Sequence, residues 1–298
     1  MLARSQKVFL FSLLLYAVGC LVWWWPERPW LACGAALLPL LVFVAVMGLE
    51  FMAMQRLNRR DAVPVASVPQ LLRAWWCELG VALLVFCWRQ PFFAHTEPDW
   101  LPAQPNGARG VVLVHGFMCN RGVWLHWLPR LRAAGHAHVA VNLEPVIGSI
   151  DAYIDAIEQA VQRVTAATGQ PPVLLCHSMG GLAARAWLRA VEGDARVHRV
   201  LTLGTPHAGT WLGRFSHAEN GRQMRLDSPW LQALAGQESP ERRSLFVCWY
   251  SPCDNIVFPA STAALPGAQH RLISDVAHLQ MALHPSVVQA CLDEIAKP

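Results

Sequence analysis

The sequence predicts an α/β fold, a mainly parallel sheet flanked by helices, preceded by an N-terminal pair of apolar helices. Three observations carry that expectation. From Gly110 onward, apolar strand-like runs alternate with helix-like ones. The stretch Val173 to Gly181 reads as a buried strand, a sharp bend at His177-Ser178-Met179 and two glycines leading into a helix. Near the N-terminus, Val8 to Trp25 and Trp30 to Met54 are each about as long as a helix needs to be to cross a bilayer.

Composition narrows the function classes. Apolar residues make up 54% of the 298, and the mean hydropathy is +0.29, an excess that implies contact with lipid. The net charge of +4 is spread without a long basic run, which gives nucleic-acid binding little support. Nine cysteines at irregular spacings, with no CxxC pair and no Cys/His grouping, argue against a disulfide framework and a structural zinc site. Free thiols in a reducing compartment fit them better.

In chain order, the two apolar runs are separated by Pro26-Glu27-Arg28-Pro29, with Trp23, Trp24, Trp25 and Trp30 at the shared end, where indole rings favour the headgroup boundary. This predicts a transmembrane hairpin over residues 1–60, with Pro39 kinking the second helix and Glu50 near its far interface. Arg4 and Lys7 precede it and Arg56, Arg59 and Arg60 follow it, which points both outer ends to the cytoplasmic side of a bacterial-type inner membrane. A cleaved signal peptide fits less well, because no small-residue cleavage site follows the first run and a second run comes too soon. Lipid attachment at Cys20 is weaker still, since Ala17-Val18-Gly19-Cys20 lacks the leading leucine of a lipobox.

Residues 61–107 read as a linker with Pro64 and Pro69, followed by an apolar segment, Leu71 to Phe93, interrupted by Arg73, Glu78 and Arg89. An amphipathic segment lying on the bilayer or against the domain is expected; a crossing there would move the domain to the periplasm. Pro98, Pro102, Pro105, Asn106 and Gly107 join it to a domain over residues 108–298. Within that domain strands are expected at Gly110–Val114, His138–Leu143, Val173–Leu175, Arg199–Leu203, Leu245–Tyr250 and His270–Ile273. Helices are expected at Gly122–Ala134, Ile150–Ala167, after the elbow, and at Ser286–Ala296.

A serine on a strand-to-helix elbow stands clear of the sheet, and the next amide, Met179, points from a helix start toward developing negative charge. Ser178 is therefore the expected nucleophile, although serine before glycine is also a common helix cap. Its hydroxyl needs a base, and the base needs an acid to hold its tautomer. Asp254 and His278 both follow strands on the rim that carries Ser178, in the chain order serine, acid, histidine. Asp275 and Asp227 are reserve acids, most loop aspartates being turn caps; His284 precedes a proline at a helix start, and His177 should point away. The turn His115-Gly116-Phe117 after the first strand would let the Phe117 amide join that of Met179 as an oxyanion hole.

Val114-His115-Gly116-Phe117, Cys176-His177-Ser178-Met179-Gly180-Gly181 and Gly204-Thr205-Pro206-His207-Ala208-Gly209-Thr210 resemble the motif set of lipase-like α/β-hydrolases over roughly residues 108–296. Cys176 stands where the first glycine of GxSxG is usual. The resemblance implies an α/β-hydrolase fold and carboxylester hydrolysis by Ser178, Asp254 and His278, with no metal or organic cofactor. It also tilts the insertion at about 210–236, rich in Trp211, Phe215, Met224 and Trp230 beside Arg214, Arg222 and Arg225, toward a lid over an acyl pocket; covering the domain's own core is the plainer role. The expected function is a membrane-anchored serine esterase or lipase acting on acyl or lipid esters. An acyltransferase and a non-catalytic tethered module are the alternatives.

Overall fold

The computed structural model describes residues 1–297. Six parallel strands, β1 (Val111–Val114), β2 (His138–Ala140), β3 (Val173–His177), β4 (Arg199–Leu203), β5 (Phe246–Tyr250) and β6 (Gln269–Leu272), form one sheet in the order β2-β1-β3-β4-β5-β6. The chain winds outward from β1 to β2 and then returns to lay β3 on the other side of β1. The carboxyl ends of β1 and β3 therefore flank a topological switch point, where open parallel sheets hold ligands.

Alternate side chains sort to two faces, as strand pleating requires. Val112, Val114, Leu174 and Cys176 pack against the helices Ile154–Thr168 and Met179–Val191, while Val111, Leu113, Val173 and Leu175 face Trp124, Trp127 and the closing helix Pro285–Ile295. Near-continuous apolar strands such as VVLV are what a sheet covered on both faces demands.

Local chemistry trims several expected elements. The helix expected over Gly122–Ala134 is two pieces, a 3₁₀ turn Arg121–His126 and a helix Leu128–Ala133. The Asn120 side chain caps the first at the Gly122 amide, and Pro129, lacking an N–H, starts the second. β2 ends at Ala140 although His138–Leu143 was expected, because the Leu143 amide donates to His115 Nε2 (3.0 Å) instead of a neighbouring strand.

Helix α1 (Leu2–Trp24) and helix α2 (Pro29–Asn58) form an antiparallel pair, and α2 runs unbroken through Pro39. Helix α3 (Val68–Ala82) continues through a wider π-type turn, Leu83–Arg89, into Gln90–Phe93. All three helical stretches are long and apolar enough to cross a membrane. At 1.5 Å per residue α2 is about 45 Å long, more than the roughly 30 Å of a bilayer's apolar core. Toward its C-terminal end, Met47, Phe51 and Met54 join the core on the Trp124 face of the sheet. Ala74, Leu79, Ala82 and Val85 along the α3 stretch join the same core, leaving Leu72, Trp76 and Trp88 exposed on its outer side.

Candidate active site

Ser178 closes β3 and opens the helix Met179–Val191 with φ 55° and ψ −130°. That positive φ is unfavourable for a side-chain-bearing residue, by about 1–3 kcal/mol, and survives only where the surroundings fix it. They do so at both ends. The Ser178 amide donates to the Leu203 carbonyl (2.9 Å), and the Ser178 carbonyl accepts from Thr205 Oγ1 (2.8 Å). A Cβ on Gly180 would collide with the Val114 carbonyl, whereas Cys176, two residues before the serine, points into the core beside Leu174 and Met179. Of the two flanking positions of the GxSxG pattern, only the second needs glycine here.

His278 starts the short helix His278–Met281, and its Nδ1 lies 2.9 Å from Asp254 Oδ2. The other carboxylate oxygen of Asp254 accepts the amides of Ile256 (3.0 Å) and Val257 (2.8 Å), so the acid is anchored by its own turn. Both side chains are buried. Beneath them sits Gly204, with φ +58°, where a Cβ would lie 2.8 Å from Asp254 Oδ2 and 3.1 Å from His278 Nδ1. Because Gly204 follows the Leu203 carbonyl that holds the Ser178 amide, the three residues share one rim of the sheet. The Asp254–His278 hydrogen bond is formed; among the described residues, none is formed by the Ser178 hydroxyl.

Burial alone would lower the His278 pKa, but the Asp254 charge and hydrogen bond, with further help from Glu78 and Glu50, outweigh it and raise it above the ordinary imidazole value. His177 does not point away from the site. Its ring centroid is 4.7 Å from that of His278, and its Nε2 donates to the His278 carbonyl (3.2 Å). Burial, with His278 close by, pushes the His177 pKa down to about 3, so it is a neutral packing and hydrogen-bonding neighbour.

After β1, Gly116 passes so close that a Cβ there would lie 2.7 Å from Ser178 Cβ. Since His115 Nε2 accepts the Leu143 amide, its proton sits on Nδ1, which donates to the Gly116 carbonyl (2.9 Å). Burial pushes the His115 pKa down to about 4 and keeps it in that neutral form. The Cys119 amide also donates to the Gly116 carbonyl (3.3 Å), so the Gly116–Phe117 peptide is fixed with the Phe117 N–H on its opposite side. Among the described residues neither the Phe117 nor the Met179 amide has a backbone acceptor.

The reserve residues lie elsewhere. Asp275 pairs with Arg73 (3.0 Å), Asp227 lines a separate cavity with Arg185 and His207, and His284 is the cap before Pro285. Two carboxylates that sequence reasoning did not assign to the site do reach it. Glu78 on α3 accepts the amides of Leu279 (2.8 Å) and Gln280 (2.9 Å), and Glu50 on α2 accepts from the Asn255 side chain (2.8 Å). Burial pushes the Glu78 carboxyl up to about 7 against those two amide hydrogen bonds. In the sequence Glu78 shows only as a charge interrupting an apolar segment and Glu50 only as a charge near the far interface of the second helix; their partners lie some 200 residues away along the chain. In the 210–236 insertion Met224, Leu231 and Leu234 are buried, while Phe215 is exposed beneath the Arg214 guanidinium. Among the described residues no three His, Cys, Asp or Glu side chains cluster as a metal site needs.

Comparisons with known proteins bear on the same region. The sequence model of the alpha/beta hydrolase family matches residues 111–290. A probable esterase, PIR7A, of Oryza sativa subsp. indica is 28% identical over 117 residues, 36% of this chain and 44% of that protein, so the chain spans less than half the length of this curated relative. Among solved structures, the mature lipase BlEst2 of Bacillus licheniformis superposes with a TM-score of 0.59 at 15% identity, covering 67% of this chain and 96% of that one. Lipase B of Aspergillus fumigatus gives 0.59 at 18% identity, covering 66% and 55%. At such identities the two structures speak for the fold. With the family model covering more than half its length, the chain belongs to the alpha/beta hydrolase family.

Proposed function

We propose that this protein is a membrane-anchored serine hydrolase that cleaves carboxylic esters, with lipid esters at the bilayer surface as its substrate class. Ser178 Oγ attacks the acyl carbonyl while His278 Nε2 takes its proton, and Asp254 holds Nδ1 protonated and stabilises the imidazolium. The amides of Phe117 and Met179 donate to the oxyanion. His278 then protonates the leaving alcohol, and the acyl-enzyme is released by water that His278 deprotonates in turn. Catalytic hydrogen bonds often tighten only in the complex with substrate, which accommodates the free Ser178 hydroxyl.

The observation that carries this reading is the buried 2.9 Å Asp254–His278 pair on the rim where Ser178 sits in a strained elbow. The anchor is supported by the exposed apolar flanks of α1 and α2, among them Phe9, Leu15, Val22, Leu37 and Leu41. Both outer ends of that pair rest on the domain: the Met1 amine lies 2.6 Å from Glu144, and Asn58 donates to the Pro252 carbonyl (3.1 Å). We read α1 and α2 as crossing, and α3 as seated along the domain with its apolar outer side toward lipid. It is bound to the domain at both Glu78 and Gln90, which favours a cytoplasmic domain. A site wired to the membrane helices through Glu50 and Asn255 is suited to substrates that arrive from the bilayer.

Ser178→Ala in the full-length protein is expected to abolish hydrolysis of short nitrophenyl esters while leaving the fold intact. Hydrolysis that persists in that variant would remove Ser178 from the mechanism.

A further inference from the structure

We propose that Glu78, on the helix that precedes the hydrolase domain, is a positioning residue for the catalytic base: it holds the His278 loop through two backbone amides and adds negative charge beside that loop. The role presupposes His278 as base and Ser178 as nucleophile.

The geometry is specific. The His278–Met281 helix is a single turn, and its first amides have no partners within the helix. Each oxygen of Glu78 takes one of them, Leu279 at 2.8 Å and Gln280 at 2.9 Å, and the carboxylate is buried. A carboxylate can accept at both oxygens at once, whereas an amide in its place offers one acceptor and turns an NH₂ group toward the other donor. The loop that carries the base is thus tied to α3, outside the stretch that the family model matches.

A second tie comes from α2. Glu50 accepts from the Asn255 side chain, and Asn255, next to the acid Asp254, meets the His278 amide at 3.5 Å through Oδ1. The charged and titratable groups around His278 are therefore Asp254 from the turn after β5, Glu50 from α2, Glu78 from α3 and His177 from β3, while Asp275, three residues earlier in the chain, is paired with Arg73 of α3. Of the three carboxylates that raise its basicity, two come from the N-terminal helices. The helices would then do more than tether the domain, because they set the proton affinity and the position of its base.

Hydrolysis requires neutral His278, so activity rises as pH passes upward through its pKa. Loss of the negative charge that Glu78 carries when ionised lowers that pKa and moves this acid limb to lower pH, by less than a fixed anion would because the Glu78 carboxyl, pushed up to about 7, titrates in the same range. The test is the pH profile of kcat/KM for a nitrophenyl ester, measured on full-length wild type, Glu78→Gln and Glu78→Asp, with thermal unfolding as a check of folding. Glu78→Gln is expected to move the acid limb down by roughly 0.5–1 unit and to lower plateau kcat by about tenfold to a hundredfold through misplacement of the loop. Glu78→Asp, which keeps the charge, should hold the limb at the wild-type position and recover part of kcat. If the two variants shift the limb equally, or neither shifts it, Glu78 only packs and the inference fails. If Glu78→Gln does not fold, the comparison of Glu78→Asp with wild type decides: a displaced limb with the charge retained overturns it. Activity that survives Ser178→Ala would instead overturn the proposed function, so the two failures are distinguishable.

Discussion

Residues 111–290 and residues 1–93 meet at the His278 loop, and they hold it in different ways. From the sheet side the grip is local: Asp254 is fixed by the amides of its own turn, Ser178 by the neighbouring strand end, and Gly204 leaves room for the pair. From the helix side it is long-range, two carboxylates each reaching a residue about 200 positions away. In the proposed mechanism the sheet side contributes the reacting groups, and in the inference drawn from Glu78 the helix side adjusts their proton affinity. Exchanging the N-terminal helices for unrelated ones is therefore expected to retune the site.

Substitutions on the two sides should separate these contributions. The largest effect is expected from Asp254→Asn, which removes the charge and the tautomer control at 2.9 Å from His278 Nδ1; kcat should fall roughly a thousandfold or more, with the unfolding temperature little changed. Activity within tenfold of wild type would break the sheet side of the comparison.

Next is Arg185→Met. Arg185, on the elbow helix, donates twice to Glu238 (2.6 and 2.8 Å), and both side chains are buried. Its removal leaves Glu238 facing only Arg243 at 3.7 Å, and the loss of stability, read from denaturant unfolding, should be about 3 kcal/mol. The pH profile should keep its position. Glu78→Gln is expected to do the reverse, shifting the profile while changing stability less, and this crossed outcome is the sharpest form of the comparison.

The smallest effect is expected from Cys176→Ala. The thiol is buried in the core, burial pushes its pKa up, and it takes no part in the elbow's hydrogen bonds. A loss of about 1 kcal/mol with kcat unchanged is expected from removing one buried sulfur. A large fall in kcat would give Cys176 a role that its position does not suggest.

How far the sequence revealed this arrangement follows from the range of the forces involved. The six strands and the elbow are legible because apolar runs, glycines and strand ends are local signals, and the same strand ends are what place the proposed Ser178, Asp254 and His278. The early end of β2 is not legible in the sequence, since it turns on a single side-chain acceptor, His115 Nε2, and the break at Trp127 lies where Pro129 starts a new helix inside an otherwise continuous apolar pattern. Glu78 and Glu50 were visible as charges in apolar segments, but nothing near them in the chain names a partner. The apolar run of the second helix ends at Met54 in the sequence, and only packing shows that its last three turns belong to the domain core.

The proposed convergence of Ser178, Asp254 and His278 is tested most directly by locating a covalent adduct. Full-length protein should be treated with a fluorophosphonate probe, digested and read by mass spectrometry, beside the His278→Ala variant. The expected result is a single adduct on the peptide carrying Ser178, formed at least about a hundredfold more slowly when His278 is replaced. An adduct on another residue, or labelling at an undiminished rate without His278, would contradict the site described above.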